Sequence, residues 1–355
     1  MTATVVRRTS HPAAAVREFF MAVGTVMVKE LRSRMRGRRA FVVLTAYLGL
    51  LAAIAYGVYV VLSPLARGAA AAGIGEAEVQ QVNVPALIGI SIFAVLSILQ
   101  VIFVSVIAPA FTAGQISLER EKQTLDLLVA TPMRPGAIVI GKLATALAFV
   151  VLMILAAIPI SAIVLMFGGA TPIDIIRQQV VLLSTAVAFG AFGIFASALM
   201  KRTQAATVVT YCAVLGAILG SAMLFGFWQS VVRIDDPFGL QVNGGAPEQI
   251  RFVNPMVAML DVVSQTEAPG ATRLTGSVYQ LFGPDLGDGA LAPDTPFGRD
   301  FPQPDPTIDS RDAGYWWPRV SLSLLGMATI LTLASMRLIA PSGRGRWPRR
   351  REPEA

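Results

Sequence analysis

The chain has 355 residues, 54% of them hydrophobic and only 14% charged, with a mean hydropathy of +0.63; a soluble domain of this size carries more polar surface, so the composition is that of an integral membrane protein. The net charge of +7 flanks apolar runs and argues for membrane topology rather than for a nucleic-acid partner. One cysteine, Cys212, inside an apolar run, and one histidine, His11, in a polar tail leave no disulfide framework and no cysteine or histidine metal cluster.

Residues 1–15 are polar and small. From there Val16, Phe20, Val23, Met27, Leu31 and Met35 recur every three or four positions, with Arg17, Lys29, Glu30, Arg32, Arg34 and Arg36 largely elsewhere on the wheel. That spacing predicts an amphipathic helix lying in the membrane interface and closing an N-terminal segment of residues 1–39. Residues 40–62 carry no charge over 23 positions, and a helix of that length covers about 34 Å, enough for the hydrocarbon core. This is the first span, and because it is long enough to stay in the membrane a cleaved leader is not expected. Residues 63–85 connect it to a second span at 86–112, which contains Gln100 and Pro109.

Residues 113–142 form a charged island between two long apolar runs. Ile116, Leu118, Leu125, Leu128 and Val129 can share one helical face, and Glu119, Arg120, Glu121, Lys122 and Asp126 supply polar ones, which predicts a surface helix rather than a span. Thr131 and Pro132 should end it, because the residue before a proline is pushed out of the helical region, and Pro135 suits the first turn of the next helix.

The third span runs over 143–167 with a kink expected at Pro159, and the fourth over 178–200 after a short turn, GGATPIDIIR. Lys201 and Arg202 close it, and residues 205–228 make the fifth span, which completes a five-span core over 40–228. A loop of 87 residues, 229–315, follows; within it Asn254 and Pro255 start a stretch, MVAMLDVVSQ, expected to be a short amphipathic helix resting on the outer leaflet. The sixth span occupies 316–340 behind Tyr315, Trp316 and Trp317, and a basic tail, 341–355, ends the chain. Lys and Arg number 21 on the side of the two termini and eight on the other, so the termini and the island are expected in the cytoplasm and the 229–315 loop outside.

The span cores carry no ionisable residue, which removes the usual machinery of proton antiport and of a charge-ringed channel. They do carry Gln100, Thr145, Ser161, Ser184, Thr185, Ser197, Thr207 and Thr210, which suit either a weakly polar path or bonds within and between helices. Gly216 and Gly220, spaced for close helix approach, could serve a dimer seam. Residues 136–143, GAIVIGKL, fit a phosphate loop until Leu143 stands where Ser or Thr should hold magnesium, and they enter a span instead of joining a strand to a helix. No nucleotide site is expected on this chain.

The order of the island's residues carries a resemblance. Glu119-Arg120-Glu121 after a span, then Thr-Leu-Asp-Leu-Leu from Thr124, then Thr131-Pro132, then Gly141-Lys142 opening the next span, resembles the permease subunits of ABC transporters of the type-2, or exporter, family. The resemblance implies an all-α fold of six transmembrane helices with an N-terminal connecting helix, on which Lys29, Glu30 and Arg32 would lie, and a cytoplasmic coupling helix between the second and third spans. Glu119, Arg120, Glu121, Thr124, Leu125, Leu128 and Pro132 would then lie at or near the contact with a separate ATPase chain, Gly141 and Lys142 would mark the re-entry into the membrane, and Lys29 or Arg32 would pair with Glu119 or Glu121. It also implies a second permease chain, identical or not, a place in the cell membrane of a prokaryote, export of a hydrophobic or amphiphilic substrate, and no enzymatic activity or cofactor on this chain, with ATP and magnesium on the partner. Two alternatives stay open in the sequence: a membrane-bound enzyme, for which no reactive constellation is present at membrane depth, and a non-transporting component of envelope maintenance driven by the same kind of ATPase.

Overall fold

The structure, a computed structural model, describes residues 38–71, 84–124, 135–224, 226–228, 252–266 and 316–339, with positions 21 and 24. The expected interfacial helix with Lys29, Glu30 and Arg32, the positions Leu125, Leu128 and Pro132, most of the 229–315 loop and the 341–355 tail lie outside the described residues. Among the described residues the chain is all helical: α1 (Arg38–Ala71), α2 (Val84–Thr112), α3 (Ser117–Glu121), α4 (Pro135–Ala156), α5 (Ile158–Ile163), α6 (Pro172–Leu199), α7 (Thr203–Leu215), α8 (Pro255–Ser264) and α9 (Trp316–Ile339). Six segments among the described residues are long and apolar enough to cross a membrane, as the sequence predicts, and the protein is multi-pass.

Prolines set several boundaries. Pro135 opens α4, where its missing N–H belongs to the unpaired first turn. Pro159 breaks the third span: α4 stops at Ala156 and α5 resumes at Ile158, because the proline donates no hydrogen bond and its ring crowds the preceding turn. The fourth span begins earlier than expected, at Pro172. The Asp174 carboxylate draws it back, accepting from Thr171 N at 2.9 Å and Thr171 Oγ1 at 2.7 Å and so satisfying the helix start, while Arg177 Nη1 holds the other carboxylate oxygen at 3.0 Å. Asp174 and Arg177 therefore lie on a membrane helix instead of in a loop.

The bundle is organised around α6, which packs against α2, α4, α7, α8 and α9 and is buried along most of its length. Its contact residues are small, among them Ala186, Ala188, Gly190, Ala191, Gly193 and Ala196, so that neighbouring backbones come close. A Cβ on Gly193 would sit 2.0 Å from Thr112 Oγ1, and one on Gly190 2.8 Å from Leu147 Cδ2, which places α2 and α4 in direct contact with α6. The helix α1 lies at the periphery against α2, where Tyr47 meets Phe103 edge to face with 5.8 Å between ring centroids.

The stretch expected to rest on the outer leaflet does not. Val257, Ala258, Met259, Leu260, Val262 and Val263 of α8 are all buried, and the helix packs among α2, α6 and α9. Its sequence explains the difference, since it has no polar face to offer water or headgroups and its one charge, Asp261, is bonded inside. Asp261 Oδ2 accepts from the backbone N–H of Trp316 at 2.9 Å and of Trp317 at 2.8 Å, capping the start of α9. At the other end of α8, Asn254 Oδ1 accepts from Met256 N at 2.9 Å while its Nδ2 donates to Ile218 O at 3.1 Å and Ser221 Oγ at 2.9 Å. Ile218 lies in a π-helical turn, Gly216–Gly220, of the fifth span, where the widened helix frees a carbonyl. Thus α8 is bonded to the fifth span at one end and to the sixth at the other.

Candidate functional site

At the end of the bundle that carries Lys122, Lys142, Lys201 and Arg202, the chain leaves α2 through a turn and forms α3, a helix of five residues that stops within the stretch where the apolar spacing predicts a continuous helix. The stop has a defined geometry. Gln123 adopts φ +56°, Gln123 N donates to Arg120 O at 3.1 Å and Thr124 N to Glu119 O at 2.9 Å, the two-bond closure that ends a helix with a left-handed residue just past its cap. A glutamine in that region is uncommon. Of the predicted apolar face, Leu125, Leu128 and Val129 lie outside the described residues; of the other two, Ile116 is buried and Leu118 is 43% exposed.

The three consecutive residues Glu119, Arg120 and Glu121 each reach a different helix. Glu119 Oε1 lies 2.6 Å from Lys142 Nζ on α4. Arg120 donates through Nη1 to Met200 O and through Nη2 to Ala198 O, both at 3.1 Å; these are carbonyls at the end of α6, where the helix has no intrahelical donor left and its dipole favours a cation. Glu121 accepts through Oε1 from Thr203 N at 2.8 Å and through Oε2 from Thr203 Oγ1 at 3.0 Å, so that a carboxylate stands at the start of α7, where unpaired N–H groups and the dipole favour an anion. Cation on the outgoing helix end and anion on the incoming one fasten both sides of the short turn 200–202.

Beneath the triplet, Ser197 Oγ accepts from Ile116 N and Ser117 N, both at 2.9 Å, and Ser117 Oγ lies 3.2 Å from Ser197 Oγ and 3.3 Å from Thr203 Oγ1. The close approach at Gly193 makes room for these bonds by letting the end of α2 lie directly on α6.

Lys142 sits in the second turn of α4, with its side chain only 4% exposed, and also donates to Gln115 O at 3.3 Å. The position read as the opening of the third span is therefore inside it. Residues 136–143 are helical throughout, so the partial phosphate-loop pattern is no loop. A buried lysine is tolerated when paired and bonded. Among the described residues no group of carboxylate, histidine and cysteine side chains could hold a metal ion.

Of the residues singled out in the sequence, the structure brings Glu119, Arg120, Glu121 and Lys142 into one cluster. Thr124 contributes its N–H to the helix stop, Gly141 its carbonyl to Thr145 Oγ1 at 2.7 Å. Of the residues that complete the cluster, Ser197 and Gly193 read in sequence as scattered span positions and Thr203 as part of the link between the fourth and fifth spans. Thr203, directly after Lys201 and Arg202, carries the one usable signal, a hydroxyl residue at a helix start.

A family model described as ABC-2 family transporter protein matches residues 25–335, a range that takes in the whole bundle except the last turn of α9. A comparison with curated proteins finds no match.

Proposed function

We propose that this chain, which belongs to the ABC-2 transporter family, is the permease subunit of an exporter powered by a separate ATPase chain. In this reading two permease chains form the transmembrane unit in a prokaryotic cell membrane, with the termini and the cluster of Glu119, Arg120, Glu121 and Lys142, here called the clasp, on the cytoplasmic side and the 229–315 loop outside. ATP and magnesium are held by the partner, and the cargo is hydrophobic or amphiphilic, matching span interiors whose uncharged hydroxyl and amide groups are the main polar lining.

The observation that carries the reading is the clasp. A turn that hangs between two spans needs no bond to a third, yet three successive residues hold it to α4, α6 and α7. A load applied to that turn by a partner reaches three spans at once, through charge-assisted hydrogen bonds of fixed direction. On this view Glu119, Arg120 and Glu121 pass the motion on, while Thr124, Leu125, Leu128 and Pro132, with Lys29, Glu30 and Arg32 of the expected connecting helix, supply contacts to the ATPase or support them.

The test is reconstitution. Liposomes holding the chain with an ATPase chain that contains G-x-x-x-x-G-K-[ST] should extrude a fluorescent amphiphile in an ATP-dependent way, and the chain alone should neither bind nor hydrolyse ATP. Nucleotide binding by the isolated chain, lost on Lys142→Ala, would overturn the assignment. Orientation is checked by a cysteine at Asp294, which should react with an impermeant maleimide in intact cells.

A further inference from the structure

The polar side chains inside the spans are of two kinds. One kind bonds back to its own helix: Ser105, Thr185, Thr210 and Ser335 each donate to the carbonyl four residues earlier, at 2.6 to 2.7 Å, the ordinary way of satisfying a hydroxyl in an apolar bundle. Gln115 does the same with its amide, through Nε2 to Phe111 O at 2.7 Å. Gln100 and Gln178 do not. They meet where α2 packs on α6, joined by one bond of 3.2 Å from Gln178 Nε2 to Gln100 Oε1, and both are fully buried. Gln100 Nε2 and Gln178 Oε1 have no partner among the described residues. Ser97 Oγ, three positions before Gln100 on the same side of α2, is likewise fully buried and without one. We propose that this contact between the second and fourth spans is a water site, in which a molecule bridges Gln100 Nε2 and Gln178 Oε1 with the Ser97 hydroxyl as its third partner. The site does not rest on the permease reading.

The deficit belongs to the pair and not to the way its amides are drawn. Two primary amides joined by a single hydrogen bond keep one N–H group and one carbonyl unspent, and exchanging oxygen for nitrogen on both only swaps which residue holds which. A buried donor or acceptor left unpaired costs about 1 to 3 kcal/mol, whereas immobilising a bridging water costs about 0 to 2 kcal/mol and satisfies several such groups at once, so the hydrated contact is the stable one. The ligand must donate and accept together and carry no charge, because neutral amides supply no countercharge. A hydroxyl or amide of a larger molecule has the same pattern, but a site enclosed on all sides suits a molecule the size of water, which takes about three hydrogen bonds in protein interiors. The position gives the site a mechanical meaning. Gln100 lies twelve residues, about 18 Å, along α2 from Thr112, where the close approach at Gly193 lays α2 directly on α6. A water-bridged contact can part and re-form without stranding either amide, so the two helices are fixed at the clasp end and adjustable at the glutamines.

The test is magic-angle-spinning NMR of the full chain in phosphatidylcholine liposomes, with 15N at the glutamine side chains and magnetisation transferred from water. An impermeant gadolinium chelate, present on both sides of the membrane, quenches glutamines that touch bulk water. Two side-chain amide resonances should keep their transfer from water in its presence. Gln100→Met should remove one of them and Gln178→Met the other, and Ser97→Ala, which keeps both amides, should weaken the transfer to each. If no glutamine amide of the wild type shows transfer once the chelate is present, the contact is dry and the proposal falls, whatever the variants do. It falls also if both resonances persist in the double variant Gln100→Met, Gln178→Met, which would assign the protected water to other glutamines.

Discussion

Glu119 and Lys142 form an ion pair with 2.6 Å between Oε1 and Nζ, joining the turn after the second span to the inside of the third. The pair is asymmetric in burial, the lysine side chain being 4% exposed and the glutamate 26%. Removing one partner leaves the other uncompensated, and the cost depends on which is left. Glu119→Gln strands a buried ammonium and should destabilise by up to roughly 3 to 5 kcal/mol, whereas Lys142→Met strands a carboxylate that can reach water and should cost less. The double variant should recover most of the loss, because an apolar and an amide side chain need no countercharge. Thermal unfolding of the three variants in detergent, read as a double-mutant cycle, measures the coupling; additive losses would show that the pair is not a unit.

Arg120 satisfies two carbonyls with one guanidinium, Ala198 O and Met200 O. A lysine has the charge but cannot span both acceptors with a planar fork. Arg120→Lys should therefore retain stability within about 1 kcal/mol through the helix dipole and still lower ATP-driven export, while Arg120→Ala should cost on the order of 1.5 to 3 kcal/mol for the charged hydrogen bonds. The comparison to make is transport rate against melting temperature. Equal export by Arg120→Lys and wild type would show that the cation matters and the fork does not.

The six spans, the start at Pro135 and the break near Pro159 were legible in the sequence because apolar length and proline are local signals. The clasp was legible only in its residue types. Lys142 stands at the edge of an uncharged run and reads as a boundary, and its partner lies 23 positions away; nothing in the spacing says that the helix begins earlier and carries the lysine inside. The serine under the triplet is 80 and 81 positions from the amides it binds, beyond any periodic pattern. The helix stop at Gln123 was hidden for another reason: it uses a left-handed residue that is not glycine or asparagine, so the apolar spacing continues through it in sequence although the chain bends. The burial of α8 was misread because ten residues in a long loop suggest a surface element, whereas their lack of a polar face was the better guide.

Gly193 is required by distance. Its Cβ in an alanine variant would meet Thr112 Oγ1 at 2.0 Å, Thr112 Cβ at 3.0 Å and Ala113 N at 3.1 Å, and a backbone nitrogen and a Cβ cannot rotate away. Gly193→Ala should push the end of α2 off α6, cost about 1 to 3 kcal/mol from overpacking, and lengthen the bonds from Ile116 N and Ser117 N to Ser197. Hydrogen exchange of those two amides reports it directly. Unchanged exchange would mean that the two helices tolerate the extra methyl.

Asp261 predicts a pH dependence of stability at the opposite end of the molecule. Burial pushes its carboxyl above the usual carboxylate range, against the opposing pull of hydrogen bonds from Trp317 N, the Gln265 side chain and Trp316 N and of the Arg177 charge. A group that holds its proton more tightly in the folded chain than in the unfolded one contributes stability below the ordinary carboxyl range, and that contribution fades as pH rises through the folded value. Melting temperature should therefore fall across that interval for the wild type, once the trend common to all variants is subtracted. Asp261→Asn keeps an oxygen for the Trp316 and Trp317 amides and carries no proton to lose, so it should remove the dependence while preserving the cap. Asp261→Ala should also remove it, but at every pH it leaves two buried donors unpaired and should cost on the order of 1 to 3 kcal/mol. Melting curves of the three proteins between about pH 3 and about pH 8, an interval that brackets the ordinary carboxyl value and its upward shift, decide the matter. A dependence that persists unchanged in Asp261→Asn would assign it to another group.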